Sequence, residues 1–109
     1  MRSTSTPDDV INFVYLDALD GAVHASEGRF AEAVAAGIRA LELAETTDYF
    51  FSRASVRVLL ADTLMRSERP SEASDHASEA LAILDAKGDA AGSARVRDHL
   101  DRLGIGYVT

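Results

Sequence analysis

The chain has 109 residues, the length of one domain, which excludes a multidomain enzyme. It contains no cysteine, so disulfides, thiolate metal sites and a cysteine nucleophile are excluded. Its net charge of −7 has the wrong sign for attraction to nucleic-acid phosphates or anionic lipid, and we therefore expect neither nucleic acid nor a membrane as a partner.

The helix start and stop signals predict five helices in an all-α chain. Pro7 with Asp8 and Asp9 begins the first helix, because proline and acidic side chains favour the first turn. Gly28 ends this helix, and Pro70 begins the fourth. We expect helices at about residues 8–27, 30–45, 49–67, 70–87 and 90–103, between a flexible N-terminus at 1–7 and a C-terminal tail at 104–109.

A shift of forty residues brings the sequence into register with itself. Residues 29–33 (RFAEA) then align with residues 69–73 (RPSEA). Matches between residues 54–60 and 94–100 make the last helix a copy of the first half of the preceding unit. A fixed period of this length is typical of helical repeat proteins, so the sequence predicts one domain at residues 8–103 with about two and a half antiparallel helical hairpins.

Residues 28–33 (GRFAEA), followed by residues 40–43 (ALEL), resemble the turn and the second helix of a tetratricopeptide repeat. The resemblance extends over residues 10–103. It implies hairpins stacked as a short right-handed superhelix, and a non-enzymatic module that binds a protein or peptide partner or associates with itself. The period exceeds the roughly 34 residues usual in the family and is similar to that of repeats in the C-terminal parts of large bacterial signalling and regulatory proteins.

In this family the first helices of successive repeats line a concave face, across which partners lie. The resemblance implies that this face contains small, apolar and charged side chains, namely Tyr15, Ala18, Ala22, Ser55, Val58, Asp62, Met65, Arg66, Arg95 and Asp98. Val58 and Met65 beside Arg66 would suit a helix or an extended peptide with an apolar anchor and an acidic group.

The first predicted helix is apolar in almost every direction around its axis, whereas a helix on the surface of a soluble domain has a single apolar stripe. The side chains responsible include Val10, Ile11, Phe13 and Val14. Another surface must therefore cover this helix. Two explanations remain open: a homodimer that associates through these four residues, or a chain that is a piece of a longer protein.

Charge is distributed unevenly along the chain. Residues 1–50 contain nine acidic residues and three arginines, a net charge of −6, which leaves −1 for residues 51–109. Attraction between the acidic front of one chain and the arginine-bearing back of another would favour head-to-tail or antiparallel association.

No arrangement of residues in the sequence predicts catalysis, a metal site or a cofactor. The three histidines, His24, His76 and His99, lack the spacing of metal ligands, and no nucleophile, base and orienting group can be placed together. The alternative function is a small-molecule-sensing or regulatory domain of a bacterial regulator, which an enclosed apolar pocket would favour over an open groove. We expect a cytoplasmic protein, because residues 1–9 lack the basic start and apolar stretch of a signal peptide.

Overall fold

A computed structural model describes residue 21 and residues 23–108, and the elements in this part of the chain are all helices. The first predicted helix is described only at its C-terminal end, at residues 21 and 23–26, which we call α1. Four complete helices follow, namely α2 (Phe30–Ala44), α3 (Phe50–Arg66), α4 (Pro70–Ala86) and α5 (Ala90–Leu103). Because no strand occurs among the described residues, the prediction of an all-α chain is confirmed.

The bounds of α2 to α5 each lie within one residue of the predicted bounds. The flexible N-terminus predicted at 1–7 and most of the helix predicted at 8–27 lie outside the described residues. Over residues 21 and 23–108, no helix has the length and apolar character that a membrane crossing requires.

The same backbone turn ends α1, α3, α4 and α5. In each case a residue with positive φ follows the helix, namely Gly28, Glu68, Gly88 and Gly104. The next N–H then donates to the carbonyl five residues earlier, as in the bonds from Arg29 to His24 at 2.9 Å and from Arg69 to Leu64 at 2.9 Å. This left-handed turn satisfies carbonyl groups that a helix end would otherwise leave unpaired. Gly28 and Glu68 are forty residues apart, so the sequence period is present in the backbone geometry.

The core of the described residues is built mainly from alanine and leucine. Leucines of α3, α4 and α5 are the largest side chains in it, and six alanines of α2 and α4 are fully buried: Ala36, Ala40, Ala44, Ala73, Ala77 and Ala80. Their spacing of three or four residues puts the alanines of each helix on one face. Helix α3 packs between α2 and α4, and α4 packs against α5. Small side chains at these crossings allow the helices to approach closely.

Helices α2 and α3 approach each other closely at Gly37. A β-carbon added there would lie 2.8 Å from Cδ1 of Leu60, which is 1% exposed. Gly21 of α1 fits α2 in a similar way, since its added β-carbon would lie 3.2 Å from the carbonyl oxygen of Ala33. At both glycines a side chain would be too close to atoms of the neighbouring helix, which is α3 for Gly37 and α2 for Gly21.

Polar side chains join α4 to α5. The hydroxyl of Ser93, which is 1% exposed, donates to Oδ1 of Asp85 at 2.7 Å, and Nη2 of Arg97 donates to Oδ2 of the same carboxylate at 3.2 Å. The backbone N–H of Gly92 donates to Oδ1 of Asp89 at 2.9 Å, which caps the start of α5. These bonds determine how α5 leaves the turn and packs against α4.

The C-terminal segment (residues 104–108), which is predicted to be part of a tail at 104–109, packs against the helical domain. Ile105 is 3% exposed and lies in the same core cluster as Leu64, Leu81 and Leu100. The N–H of Val108 donates to Oγ of Ser78 on α4 at 2.8 Å. The core therefore extends beyond the end of α5.

Candidate functional site

An apolar groove of about 330 Å³ lies between α3 and α5, and we call it the α3/α5 groove. Phe51, Val58 and Leu59 of α3 line one side, and Val96 of α5 lines the other. Leu84 of α4 also contributes to the lining. The groove exists because α3 and α5 both pack against α4. Side chains of α4 form the floor of the groove but do not fill the space between α3 and α5.

Two large apolar side chains in this groove are exposed to solvent. Phe51 is 57% exposed and Leu59 is 46% exposed. Fully burying a side chain of this size is worth about 1.5–3 kcal/mol relative to leaving it exposed. Exposed apolar side chains that lie together in a concave surface are typical of binding sites.

The polar part of the groove is basic. Arg95 and His99 of α5 line the groove with exposed side chains, and Ser55 of α3 lies opposite them. The lining contains no carboxylate. Arg95 forms no ion pair with any residue that the structure describes. The groove therefore combines apolar surface with the positive charge of Arg95, which no ion pair within the described part of the chain neutralises.

A second groove, of about 280 Å³, lies between α1, α2 and α3, and we call it the α1/α3 groove. Small residues of α1 and α2 form much of its lining, including Gly21, Ala25 and Gly37. Asp62 and Arg66 are its charged lining residues, and they pair with each other at 3.2 Å between Oδ1 and Nε. Leu59 lines this groove as well as the α3/α5 groove, so the two sites meet at one side chain of α3.

The predicted partner-binding residues fall into three groups. The α3/α5 groove brings together Ser55, Val58 and Arg95, while Asp62 and Arg66 line the α1/α3 groove. Met65 lines neither groove and is half-buried against the core. Asp98 is exposed and pairs with Arg102 at 2.7 Å.

The remaining predicted positions lie outside the described residues. They are the partner-binding residues Tyr15, Ala18 and Ala22, and the self-association residues Val10, Ile11, Phe13 and Val14.

Sequence reasoning missed Phe51, Leu59, Val96 and His99. The register of α3 contains a signal for the first two, because residues 51, 55, 58, 59 and 62 share one helical face at spacings of three and four. Leu60, the neighbour of Leu59, lies outside this face and is 1% exposed.

A separate polar cluster joins α2, α3 and α4 away from both grooves. Arg57 of α3 places Nη2 at 3.6 Å from Oε1 of Glu45 and Nη1 at 3.2 Å from Nδ1 of His76. Arg53 also donates to Glu45, at 3.0 Å. Burial lowers the pKa of His76, and the positive charge of Arg57 lowers it further. A neutral His76 can accept a hydrogen bond at Nδ1, and the cluster acts as a cross-link between helices.

No group of three or more histidine, aspartate or glutamate side chains in residues 21 and 23–108 is arranged to hold a metal ion. Comparison of the chain with models of known protein families, with curated proteins and with solved structures finds no match.

Proposed function

We propose that the chain is a non-enzymatic protein-interaction module of the tetratricopeptide-repeat type, with its hairpins stacked as a short right-handed superhelix. Two features support this arrangement. The first is the common turn at Gly28 and Glu68, forty residues apart. The second is the position of both grooves, which are lined mainly by residues of α1, α3 and α5, the first helices of the successive hairpins. Stacked hairpins of this kind use the surface of their first helices to bind partners.

The observation that carries the proposed function is the exposure of Phe51 and Leu59 in the α3/α5 groove. The side chain of a bound segment would remove both from water and would itself be buried against Val58 and Val96. A helical or extended peptide with one or two apolar anchors has the shape for such a groove. Association with a second copy is the other form of the same function.

The charge of the two grooves favours a partner that carries carboxylates. Arg95 and His99 lie in the α3/α5 groove without an acidic neighbour in the lining. Arg66 in the α1/α3 groove is already paired with Asp62, so it contributes less net charge. An acidic group beside the apolar anchor of the partner would reach Arg95 and would fix the direction of binding.

A small-molecule-sensing role is the second candidate, and the volume of the α3/α5 groove favours it. Its 330 Å³ lies at the lower end of the roughly 300–1,000 Å³ typical of small-molecule pockets. The exposure of Phe51 and Leu59 favours the protein partner, since a pocket that encloses a small ligand keeps its apolar walls away from solvent.

Selection from a random peptide library displayed on phage tests the proposed function. We expect the full chain to enrich peptides with apolar anchors and acidic residues. Leu59→Asp should weaken their binding about tenfold, since burial of the exposed 46% of Leu59, worth about 0.7–1.4 kcal/mol, is lost and the new carboxylate must be desolvated.

Ile38→Asp is the matched control, because Ile38 is 45% exposed on α2 and lines neither groove. Enriched peptides that bind wild type and Leu59→Asp equally would refute the proposed site. A chain that enriches no peptide, yet binds an apolar dye in a manner that Leu59→Asp abolishes, would favour the small-molecule alternative.

A further inference from the structure

The α3/α5 groove has a composition that restricts its occupant. Its apolar surface includes Phe51, Val58 and Leu59, and its ionisable lining residues are Arg95 and His99. A complementary segment therefore needs a short apolar run and acidic residues close to it, and basic residues within it would be unfavourable.

The chain itself contains such a segment at residues 8–20 (DDVINFVYLDALD). This segment has four aspartates and no basic residue. Six of the seven residues from 10 to 16 are apolar or aromatic, and a pair of aspartates lies on each side of that run. Residues 8–20 lie outside the described residues.

The lengths of the segment and the groove also agree. The groove extends along α3 from Phe51 to Leu59, about 12 Å at 1.5 Å per residue, and along α5 from Gly92 to His99, about 10 Å. Residues 10–16 in the predicted helix would extend about 9 Å. The apolar run would therefore extend along most of the groove. A pair of aspartates would lie beyond each end of the run, so one pair would be near Arg95 and His99 in either direction of docking.

We propose that the α3/α5 groove of one chain binds residues 8–20 of a second copy, and that the exchange is reciprocal. This inference depends on the proposed function, because it names the occupant of the same groove. A reciprocal exchange has twofold symmetry and doubles the buried area. One aromatic side chain of each copy, Phe13, would contribute about 300–500 Å² in total to the roughly 1,200–2,000 Å² that stable interfaces bury.

Sedimentation of the full chain at about 1–200 µM tests the proposal, because this range covers dimers of micromolar affinity. We expect wild type to form a dimer. Phe51→Asp and Arg95→Glu should each raise its dissociation constant at least about tenfold, through lost apolar burial and through repulsion of the aspartates. A synthetic peptide of residues 7–21 should compete with the dimer, and a scrambled peptide of the same composition should not.

Two control variants introduce the same new residues, aspartate and glutamate, at positions outside the groove. Ile38→Asp introduces a carboxylate at an apolar side chain of similar exposure on α2, and Lys87→Glu reverses a charge at the end of α4. Both should keep the dissociation constant within about twofold of wild type. Circular dichroism and thermal unfolding should be measured for all four variants, and we expect each to keep the helical fold.

A chain that remains monomeric at 200 µM would overturn the proposal, and so would a dimer that Phe51→Asp and Arg95→Glu leave unchanged. The proposed function fails separately. If the chain is monomeric but library peptides bind in a Leu59-dependent way, the groove is an interaction site for a different protein. If the chain neither dimerises nor selects peptides, both proposals fail.

Discussion

Truncation of Ile105 should destabilise the domain severely, although this residue follows the last helix. Ile105 is 3% exposed and packs with Leu64, Leu81 and Leu100. Ile105→Ala removes three carbon atoms, worth about 2.4 kcal/mol at about 0.8 kcal/mol for each buried carbon. The cavity left behind adds to this loss, so we expect a decrease of about 2.5–4 kcal/mol in the free energy of unfolding.

Urea unfolding followed by circular dichroism measures this decrease, which would lower the melting temperature by at least about 10 °C in a domain of this size. The matched control is Val108→Ala in the same segment, where the side chain is 76% exposed. We expect the control to change the free energy of unfolding by less than about 0.5 kcal/mol. If Ile105→Ala is no more destabilising than Val108→Ala, the C-terminal segment does not form part of the core.

Three further substitutions test other contacts. His76→Gln should reduce the loss of stability on acidification: the pKa of His76 is lowered in the folded state, so its contribution is complete above the unfolded value of about 6.5 and is lost as the pH falls below it. Urea midpoints at pH 7.5 and pH 5.5 measure the effect, and equal slopes for wild type and variant would contradict it. Gly37→Ala should destabilise, since crowding of Leu60 costs about 1–3 kcal/mol against about 1 kcal/mol gained in helix propensity. Combination with Leu60→Val should cost less than the sum of the two single changes, and strict additivity would exclude the proposed crowding. Glu68→Gly should raise the free energy of unfolding by about 0.5–1 kcal/mol, because Glu68 has a φ of 62° that glycine adopts without strain, and unchanged thermal stability would argue against that strain.

The helices could be predicted from the sequence because each boundary has a local cause. Proline begins α4, and glycine with a positive φ follows α1, α4 and α5. The turn after α3 has Glu68 in place of glycine, and the forty-residue period aligns Glu68 with Gly28. The packing of the C-terminal segment could not be predicted in this way, since residues 104–108 have neither helical nor strand periodicity. The period does align Ile105 with Met65, and both side chains pack against the same core.

The candidate site could be predicted only as far as helix register determines it. The family resemblance predicts Ser55, Val58 and Arg95 on one binding face, and all three line the α3/α5 groove. Met65 is predicted on the same binding face, yet its side chain contacts the core. A side chain at the edge of a helical face can contact either the core or the exposed surface. The register of α3 puts Phe51 on the same face as Ser55 and Val58, but it does not determine how far Phe51 is exposed, because Tyr49 and Phe50 precede it in a run of three aromatic residues. Which of these contacts the core depends on how α3 rotates against α4.

The order of packing along the chain has a consequence for how the domain folds and opens. The extensive contacts among α2 to α5 join helices that are neighbours in sequence, and the largest is between α3 and α4. Contacts between sequence neighbours close short loops, so the loss of entropy before each pairing is small and folding is fast. The α3/α4 hairpin would form first and the flanking helices would add to it. In the native state α5 would separate before α3 and α4, so the α5 wall of the groove would exchange its amide hydrogens faster than the α3 wall.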